Sequence, residues 1–450
     1  MKYLVLTFFL IISFQTSAIA QEKDQGELFL SLLEERASSE IDNTLSHIES
    51  KWRDGFAVMA IETISISRDQ KVVSELVRML KEQEGLQEAE NFNELFSWLW
   101  RSDEKLTSDY ASFKAELYGP IDAKFTEYFE GHQDERSIRL DEIRWGGVRQ
   151  DGIPPLRDPK MISAKEADYL GDKDVVFGIE VNGDVRAYPK RILAWHEMFV
   201  DEVGGEKLAG VYCTLCGTVI LFKTEYEGVN HEIGTSGFLY RSNKLMYDKA
   251  TQSLWKTLQG KPVVGPLVGK GIRLEHLSVV TTNWGEWKKR HPNTKVLSLE
   301  TGHQRDYSEG AAYKSYFATD RLMFNTPFND QRLSNKDEVL ALRFDDVPDK
   351  QLAISAKFLA KNPVYQDELG QTKFVVFTDD SGANRVYESG SISFRSFDGN
   401  ATVTDQSGKT WTLTESKLIA ESGEVLERLP YHRAFWFGWL AAFPETELVK

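Results

Sequence analysis

The spacing of apolar residues changes partway along this chain, and that change bounds what it can fold into. From Gln21 to about Glu130 apolar residues fall at helical intervals, as in Leu28, Leu30, Leu32 and Leu33 and again in Val72, Val73, Leu76 and Leu80. Ser67-Arg-Asp-Gln70 offers a cap before the run Lys71 to Glu84, and Asn91 offers one before Leu95, Phe96, Trp98, Leu99 and Trp100. From Val175 onward the pattern becomes short β-branched runs broken by turn residues. Val175 to Val181, Val185 to Tyr188, Leu208 to Tyr212 and Thr218 to Phe222 read as strands, with Asn182-Gly183-Asp184 as a turn. Helical pieces are expected around Pro189 to Phe199 and Asn283 to Arg290. The fold class is therefore α+β, a helical bundle or solenoid-like region over 21–137 followed by a β-rich domain, with the turn-rich stretch 138–159 as linker.

The β-rich part carries an internal echo. Trp284-x-x-Trp287-x-x-x-x-Pro292-x-Thr294 returns as Trp436-x-x-Trp439-x-x-x-x-Pro444-x-Thr446, and Asp248 to Trp255 resembles Asp405 to Trp411. Arg191 to Gly217 lies without gaps on Lys357 to Ala383, matching Leu193 with Leu359, Ala194 with Ala360, Asp201 with Asp367, Glu202 with Glu368 and Gly204 with Gly370. Three segments in one order point to two related halves, 160–329 and 330–450, rather than to a short-period solenoid.

Charge and targeting narrow the partners. With 54 Lys and Arg against 69 Asp and Glu the formal charge is −15, a field that repels phosphate backbones and anionic lipid headgroups, so nucleic acid is not an expected partner. Residues 1–20 read as a secretory signal: Lys2, an apolar run from Tyr3 to Phe14, and Ala18-Ile19-Ala20 as a cleavage site. That run is too short to span a membrane, and no cysteine follows the cleavage site to take a lipid. The chain is expected to be exported to the periplasm or beyond the cell, where disulfides persist.

The chemistry concentrates in few residues. The chain has only two cysteines, in Cys213-Thr-Leu-Cys216. The β-branched run after Cys216 reads as strand, so the helix that lowers a thioredoxin-like thiol's pKa is missing. Three chemistries stay open: a metal site, a catalytic thiol, and a plain disulfide or buried thiol pair. A metal site would use His196, Cys213 and Cys216, and these soft ligands favour zinc or copper; a catalytic site would use Cys213 as nucleophile with His196 as base. The second half carries Asn362, Asp379 and Gly382 at the matching positions, so only one half can form such a site. Ser236, Arg241, Asn243 and Asp248 offer donors and acceptors among aromatics, as a pocket for a polar ligand would, although a hairpin turn explains Asp248 to Thr251 as well. Phosphate-loop, His-Glu-x-x-His and Gly-x-Ser-x-Gly motifs are absent from the sequence. The alternative class is a non-catalytic ligand- or protein-binding platform of the cell envelope, its helices offering a partner surface and its aromatics a place for sugar or peptide.

Several of these segments together resemble one family. Ile138-Arg-Leu-Asp-Glu-Ile-Arg-Trp-Gly-Gly-Val148, Asp151-Gly-Ile-Pro-Pro-Leu156, Arg186-Ala-Tyr-Pro189, Trp195-His-Glu197, Tyr212-Cys-Thr-Leu-Cys-Gly217, Ser236-Gly-Phe-Leu-Tyr-Arg-Ser-Asn243 and Leu245-Met-Tyr-Asp248 are similar to the exported bacterial family catalogued as domain of unknown function 3179. The family's cysteine motif has proline where this chain has Thr214, which leaves the sulfur spacing unchanged. The resemblance names relatives and implies no reaction.

Overall fold

The structure, a computed structural model, describes residues 25–450 apart from 35–36, 88, 90, 104, 324–325, 327, 329 and 345. The expected signal sequence at 1–20 lies outside the described residues. Contacts divide the chain into two units, one running to Arg144 with 251–254 and 262–271, the other taking Trp145–Ala250, Trp255–Lys261 and Ile272–Lys450.

The first unit is helical, as the apolar spacing implies. Its helices are α1 (Gln25–Ser31), α2 (Ser38–Ser50), α3 (Phe56–Ile66), α4 (Gln70–Gln83), α5 (Phe92–Arg101), α6 (Tyr110–Tyr118) and α7 (Lys124–Phe129). Two begin where the sequence places a cap. The Asp69 carboxylate accepts from the N–H groups of Lys71 and Val72, and the Asn91 side chain accepts from that of Glu94, each satisfying amides that have no partner inside the helix. Helix α4 buries Val72, Leu76, Met79 and Leu80, one stripe at 3.6-residue spacing. Helix α3 is buried along nearly its whole length, and its one acid, Glu62, accepts from the Lys114 ammonium and from the Tyr110 and Tyr118 hydroxyls. A carboxylate this far from water needs such donors around it. Among the described residues no helix is long and apolar enough to cross a membrane.

The stretch 138–159 carries a 3-10 turn at Leu140–Glu142 and short strands at Ile143–Trp145 and Leu156–Arg157. Beyond it the chain is β-rich. In order come β1 (Val175–Val181), β2 (Asp184–Pro189), α8 (Lys190–His196), β3 (Met198–Val203), β4 (Glu206–Cys213), β5 (Thr218–Lys223), β6 (Ile233–Tyr240), β7 (Asn243–Asp248), β8 (His276–Leu277), β9 (Val280–Asn283), α9 (Trp284–Arg290) and β10 (Lys295–Leu297). Then follow β11 (Glu338–Leu342), β12 (Leu352–Ser355), α10 (Ala356–Lys361), β13 (Val364–Leu369), β14 (Thr372–Thr378) and β15 (Asn384–Glu388). A five-stranded antiparallel sheet occupies 394–427, before β16 (His432–Phe435), α11 (Trp436–Ala442) and β17 (Glu447–Val449).

Strands β9, β1, β2 and β10 lie side by side in that order, the last pair parallel and the others antiparallel. Strands β16, β11, β12 and β17 take the same order with the same directions. The segments that follow correspond too: α8-β3-β4-β5 pairs Met198 with Val211, and α10-β13-β14-β15 pairs Val364 with Phe377. In both arrays a tryptophan indole donates to a threonine hydroxyl seven residues on, Trp287 to Thr294 at 3.1 Å and Trp439 to Thr446 at 2.9 Å. The core of the first array is built on β1, β2, α8 and β3, where Tyr188 and Phe199 stack with ring centroids 3.7 Å apart. Gly178 on β1 sits directly under the Trp287 ring, so the sheet tolerates no side chain there. The expected fold class stands at this level: helices concentrated at the start, then a β-rich region.

Candidate functional site

The two cysteines close one hairpin. Cys213 ends β4 opposite Thr218, the first residue of β5, so 214–217 form the loop. Gly217 adopts φ +59, and a Cβ there would sit 2.7 Å from the Phe435 ring, so a turn this tight against β16 requires glycine. The sulfurs of Cys213 and Cys216 are bonded to each other, their Cα atoms 5.3 Å apart. Cys216 is fully buried and Cys213 is 5% exposed. The loop is tied down on every side: the Phe435 N–H donates to the Cys216 carbonyl at 2.8 Å and the Tyr316 hydroxyl to the Leu215 carbonyl at 2.7 Å. Thr214 is fully buried, and its hydroxyl has no hydrogen-bond partner among the described residues.

A second hairpin meets the disulfide. Strands β6 and β7 turn through Arg241 and Ser242, both with positive φ (44° and 66°), a left-handed pair that matches the strand twist and is strained in residues other than glycine or asparagine. That turn brings the Ser242 carbonyl to 2.9 Å from Cys216 Sγ. Asn243 holds the turn in place, its amide donating to the carbonyls of Gly438 at 2.8 Å and Arg241 at 3.3 Å. Of the residues expected to line a polar pocket, Asn243 thus holds the turn whose Ser242 carbonyl meets Cys216. Arg241 places its guanidinium over the Tyr240 ring at 5.5 Å. Ser236 braces a bulge in β6, donating to the Leu245 carbonyl at 2.7 Å and accepting from the Phe238 N–H at 3.0 Å. Asp248 sits at the far end of the same hairpin, 3.0 Å from His231 Nδ1.

At this site the sequence does not foretell one pairing, that of Glu197 with Lys244. Glu197 closes α8 in a left-handed conformation, φ +55, and its carbonyl accepts from the Tyr212 N–H at 2.8 Å, next to Cys213. Its carboxylate meets the ammonium of Lys244, two residues beyond Ser242, and both side chains are more than nine-tenths buried. The contact is electrostatic rather than directional, since Lys244 Nζ has no hydrogen-bond partner of good geometry among the described residues. The signal was a lysine inside β7, a run whose every residue is buried.

His196 does not join the sulfurs. It is fully buried, with Nδ1 2.9 Å from the Pro154 carbonyl and Nε2 2.6 Å from the Tyr307 hydroxyl. A carbonyl only accepts, so Nδ1 carries the proton and Nε2 accepts from Tyr307. Burial pushes the imidazole down to about 4, the Pro154 hydrogen bond only partly opposing it, and the ring stays neutral at neutral pH. The expected metal set is not assembled: the sulfurs are bonded to each other, both imidazole nitrogens are engaged, and among the described residues no group of three or more His, Cys, Asp or Glu is placed to hold a metal ion. Zinc or copper therefore finds no fit at these residues.

Beside the cysteine loop lies a cavity of about 300 Å³ bordered by Tyr212, Gly217, Lys190, Glu338, Arg433 and Phe435. Burial lowers the Lys190 ammonium, whose Nζ stands 4.3 Å above the Phe317 ring. Burial works against the charge of Glu338, but Arg433, 2.6 Å away, outweighs it and holds the carboxyl below its ordinary range.

These features define a class: a chain with a helical first unit and a β-rich unit whose one disulfide is set in a hairpin turn. Residues 150–446 match the family model described as protein of unknown function (DUF3179), and the chain belongs to that family. No curated protein and no solved structure matches it.

Replacing Lys244 with Met leaves Glu197 charged and unpaired in the interior. This should cost about 3–5 kcal/mol of unfolding free energy in a denaturant titration, most of it recovered by adding Glu197→Leu. His196 gives a second expectation. Its folded pKa of about 4 lies below the ordinary imidazole value of about 6.5. As pH falls from 6.5 towards 4 the unfolded chain binds a proton that the native one refuses, so this group's contribution to stability is full above 6.5 and declines across that window. Urea midpoints measured at pH 7 and pH 4.5 should show the decline, smaller in Tyr307→Phe/His196→Gln.

Proposed function

We propose that this chain is an exported protein whose Cys213–Cys216 pair exchanges with thiols. The observation that carries this reading is the place of the disulfide. It joins residues that the β4–β5 ladder already holds together, and cross-linking so short a loop removes only about 2 kcal/mol of chain entropy from the unfolded state. The bond contributes little as a tether, which leaves its chemistry as the function it can serve. Cys213, the less deeply buried of the two cysteines, is the point of attack.

In this reading a partner dithiol supplies the electrons. One partner thiolate attacks Cys213 Sγ, forming a mixed disulfide as the Cys213–Cys216 bond breaks. Cys216 leaves as a thiolate, takes a proton, and as a thiol donates to the Ser242 carbonyl already in contact with it. The partner's second thiolate then displaces Cys213, so the partner leaves as a disulfide and the protein as a dithiol. Two electrons and two protons move together. An oxidising compartment, as the signal-like residues 1–20 suggest, restores the bond.

The matching topology of the two β-rich arrays supports an origin by duplication, and this bears on the site. In the β14–β15 turn Asp379 Oδ1 accepts from the Ser381 N–H at 2.9 Å, the Ser381 hydroxyl at 2.6 Å and the Ala383 N–H at 3.1 Å. A carboxylate braces there the turn that a disulfide closes in β4–β5. That correspondence favours a second reading in which the disulfide is itself a brace.

Alkylation of the folded protein separates the two. Under exchange, dithiothreitol at neutral pH exposes both cysteines to iodoacetamide while near-ultraviolet circular dichroism is retained, and Cys216→Ser traps a mixed disulfide at Cys213. If both cysteines stay unlabelled until the protein unfolds, and Cys213→Ser/Cys216→Ser lowers the melting temperature, the brace reading holds.

A further inference from the structure

The cavity beside the cysteine loop is walled by both arrays and carries a cation without a counter-ion. Phe177, Lys190 and Tyr212 border it from the first array, Glu338, Arg433 and Phe435 from the second. Neither cysteine borders it, so the cavity is separate from the thiol chemistry. Lys190 is half-buried, with its ammonium 4.3 Å above the Phe317 ring. Among the described residues no carboxylate lies within ion-pair distance of that ammonium and no group accepts a hydrogen bond from it. A lysine taken this far out of water ordinarily finds a partner.

The nearby acids are committed elsewhere. Burial lowers the Lys190 ammonium, and Glu338 and Glu309 oppose that only in part. Glu338 meets Arg433 at 2.6 Å and Glu309 meets Arg191 at 3.1 Å. With Glu338 and Arg433 paired, Lys190 and the exposed Lys173 leave the border of the cavity positive. The hydroxyls divide in the same way. Ser381 donates to Asp379 at 2.6 Å, so Thr282, 3.0 Å from the Ser381 hydroxyl, donates to Ser381 and has no hydrogen left to offer. The Tyr212 hydroxyl has no hydrogen-bond partner among the described residues, and it shares with Lys190 the field of Glu338. The donors free to meet a ligand are therefore one ammonium and one phenol.

A cation would be repelled here, and a neutral ligand would leave the ammonium unpaired. A carboxylate has two oxygens for two donors and supplies the missing charge. The remaining wall is aromatic: Phe177 and Tyr212 pack with ring centroids 4.9 Å apart, and Phe435 faces the same space. A volume of about 300 Å³ suits a small organic molecule.

We propose that this cavity binds a small aromatic carboxylate, its charged group paired with Lys190 and accepting from the Tyr212 hydroxyl, its ring lying against Phe177 and Phe435.

Isothermal titration of the full chain with sodium benzoate and, separately, with benzyl alcohol tests this, the two probes sharing a ring and differing in charge. The expected result is saturable binding of benzoate, at least tenfold tighter than that of benzyl alcohol. Lys190→Met should weaken benzoate tenfold or more with near-ultraviolet circular dichroism unchanged, tenfold being what loss of one charge-assisted contact brings. Tyr212→Phe should weaken it less. If Lys190→Met fails to fold, the comparison of the two probes, which needs no variant, still decides. No saturable benzoate binding at millimolar concentration, benzyl alcohol bound as tightly, or benzoate binding that a folded Lys190→Met leaves unchanged overturns the proposal.

Discussion

Strand β5 is the constraint on which the β-rich unit depends. Along one edge it pairs with β4 from Leu208 to Cys213; along the other it pairs with β8 at Leu221 and Phe222 and with β16 at Val219. Through β16 the ladder passes on to β11, β12 and β17, so the second array hangs on the same strand. The cysteine turn is the entrance to this strand. Its geometry is therefore fixed by the sheet, and the Cys213–Cys216 bond forms between positions the sheet has already brought together. This is why a chemical role accounts for the pair better than a tethering one.

The surroundings of the turn follow the same logic. The Ser242 carbonyl meets the Cys216 sulfur, the Asn243 side-chain amide pins that turn to the Gly438 carbonyl on α11, and the Glu197 carbonyl at the end of α8 accepts from the Tyr212 N–H beside Cys213. The Glu197–Lys244 pair adds two charges buried where an apolar pair would cost less. Lys244 lies two residues from Ser242 and Glu197 bonds the neighbour of Cys213, so this buried charge pair sits next to both segments that meet at the disulfide.

Local patterns in the sequence were read correctly where local physics decides. Alternation and turn residues gave β1, β2, β4 and β5 to within a residue or two, and the Asp69 and Asn91 caps marked the starts of α4 and α5. The site was legible only in part. Cys213, Cys216 and Asn243 do come together, but His196 is engaged by partners 42 and 111 positions away, Pro154 and Tyr307, which no spacing rule connects to it. Lys244 was overlooked for the same reason: its partner lies on another element, and a lone lysine in a strand carries no hint of which acid it will meet. Ser236 and Asp248 were singled out for their chemistry, whereas the hairpin uses them to satisfy its own backbone and a neighbouring histidine.

The central claim is that the Cys213–Cys216 bond is made and broken while the protein stays folded. The direct measurement is its reduction potential, from equilibration of the native protein in a dithiothreitol series with the dithiol fraction read by mass after alkylation. A midpoint above about −300 mV, where exchanging disulfides lie, is what the account predicts. A midpoint well below that value, in the range of structural disulfides in secreted proteins, would contradict it.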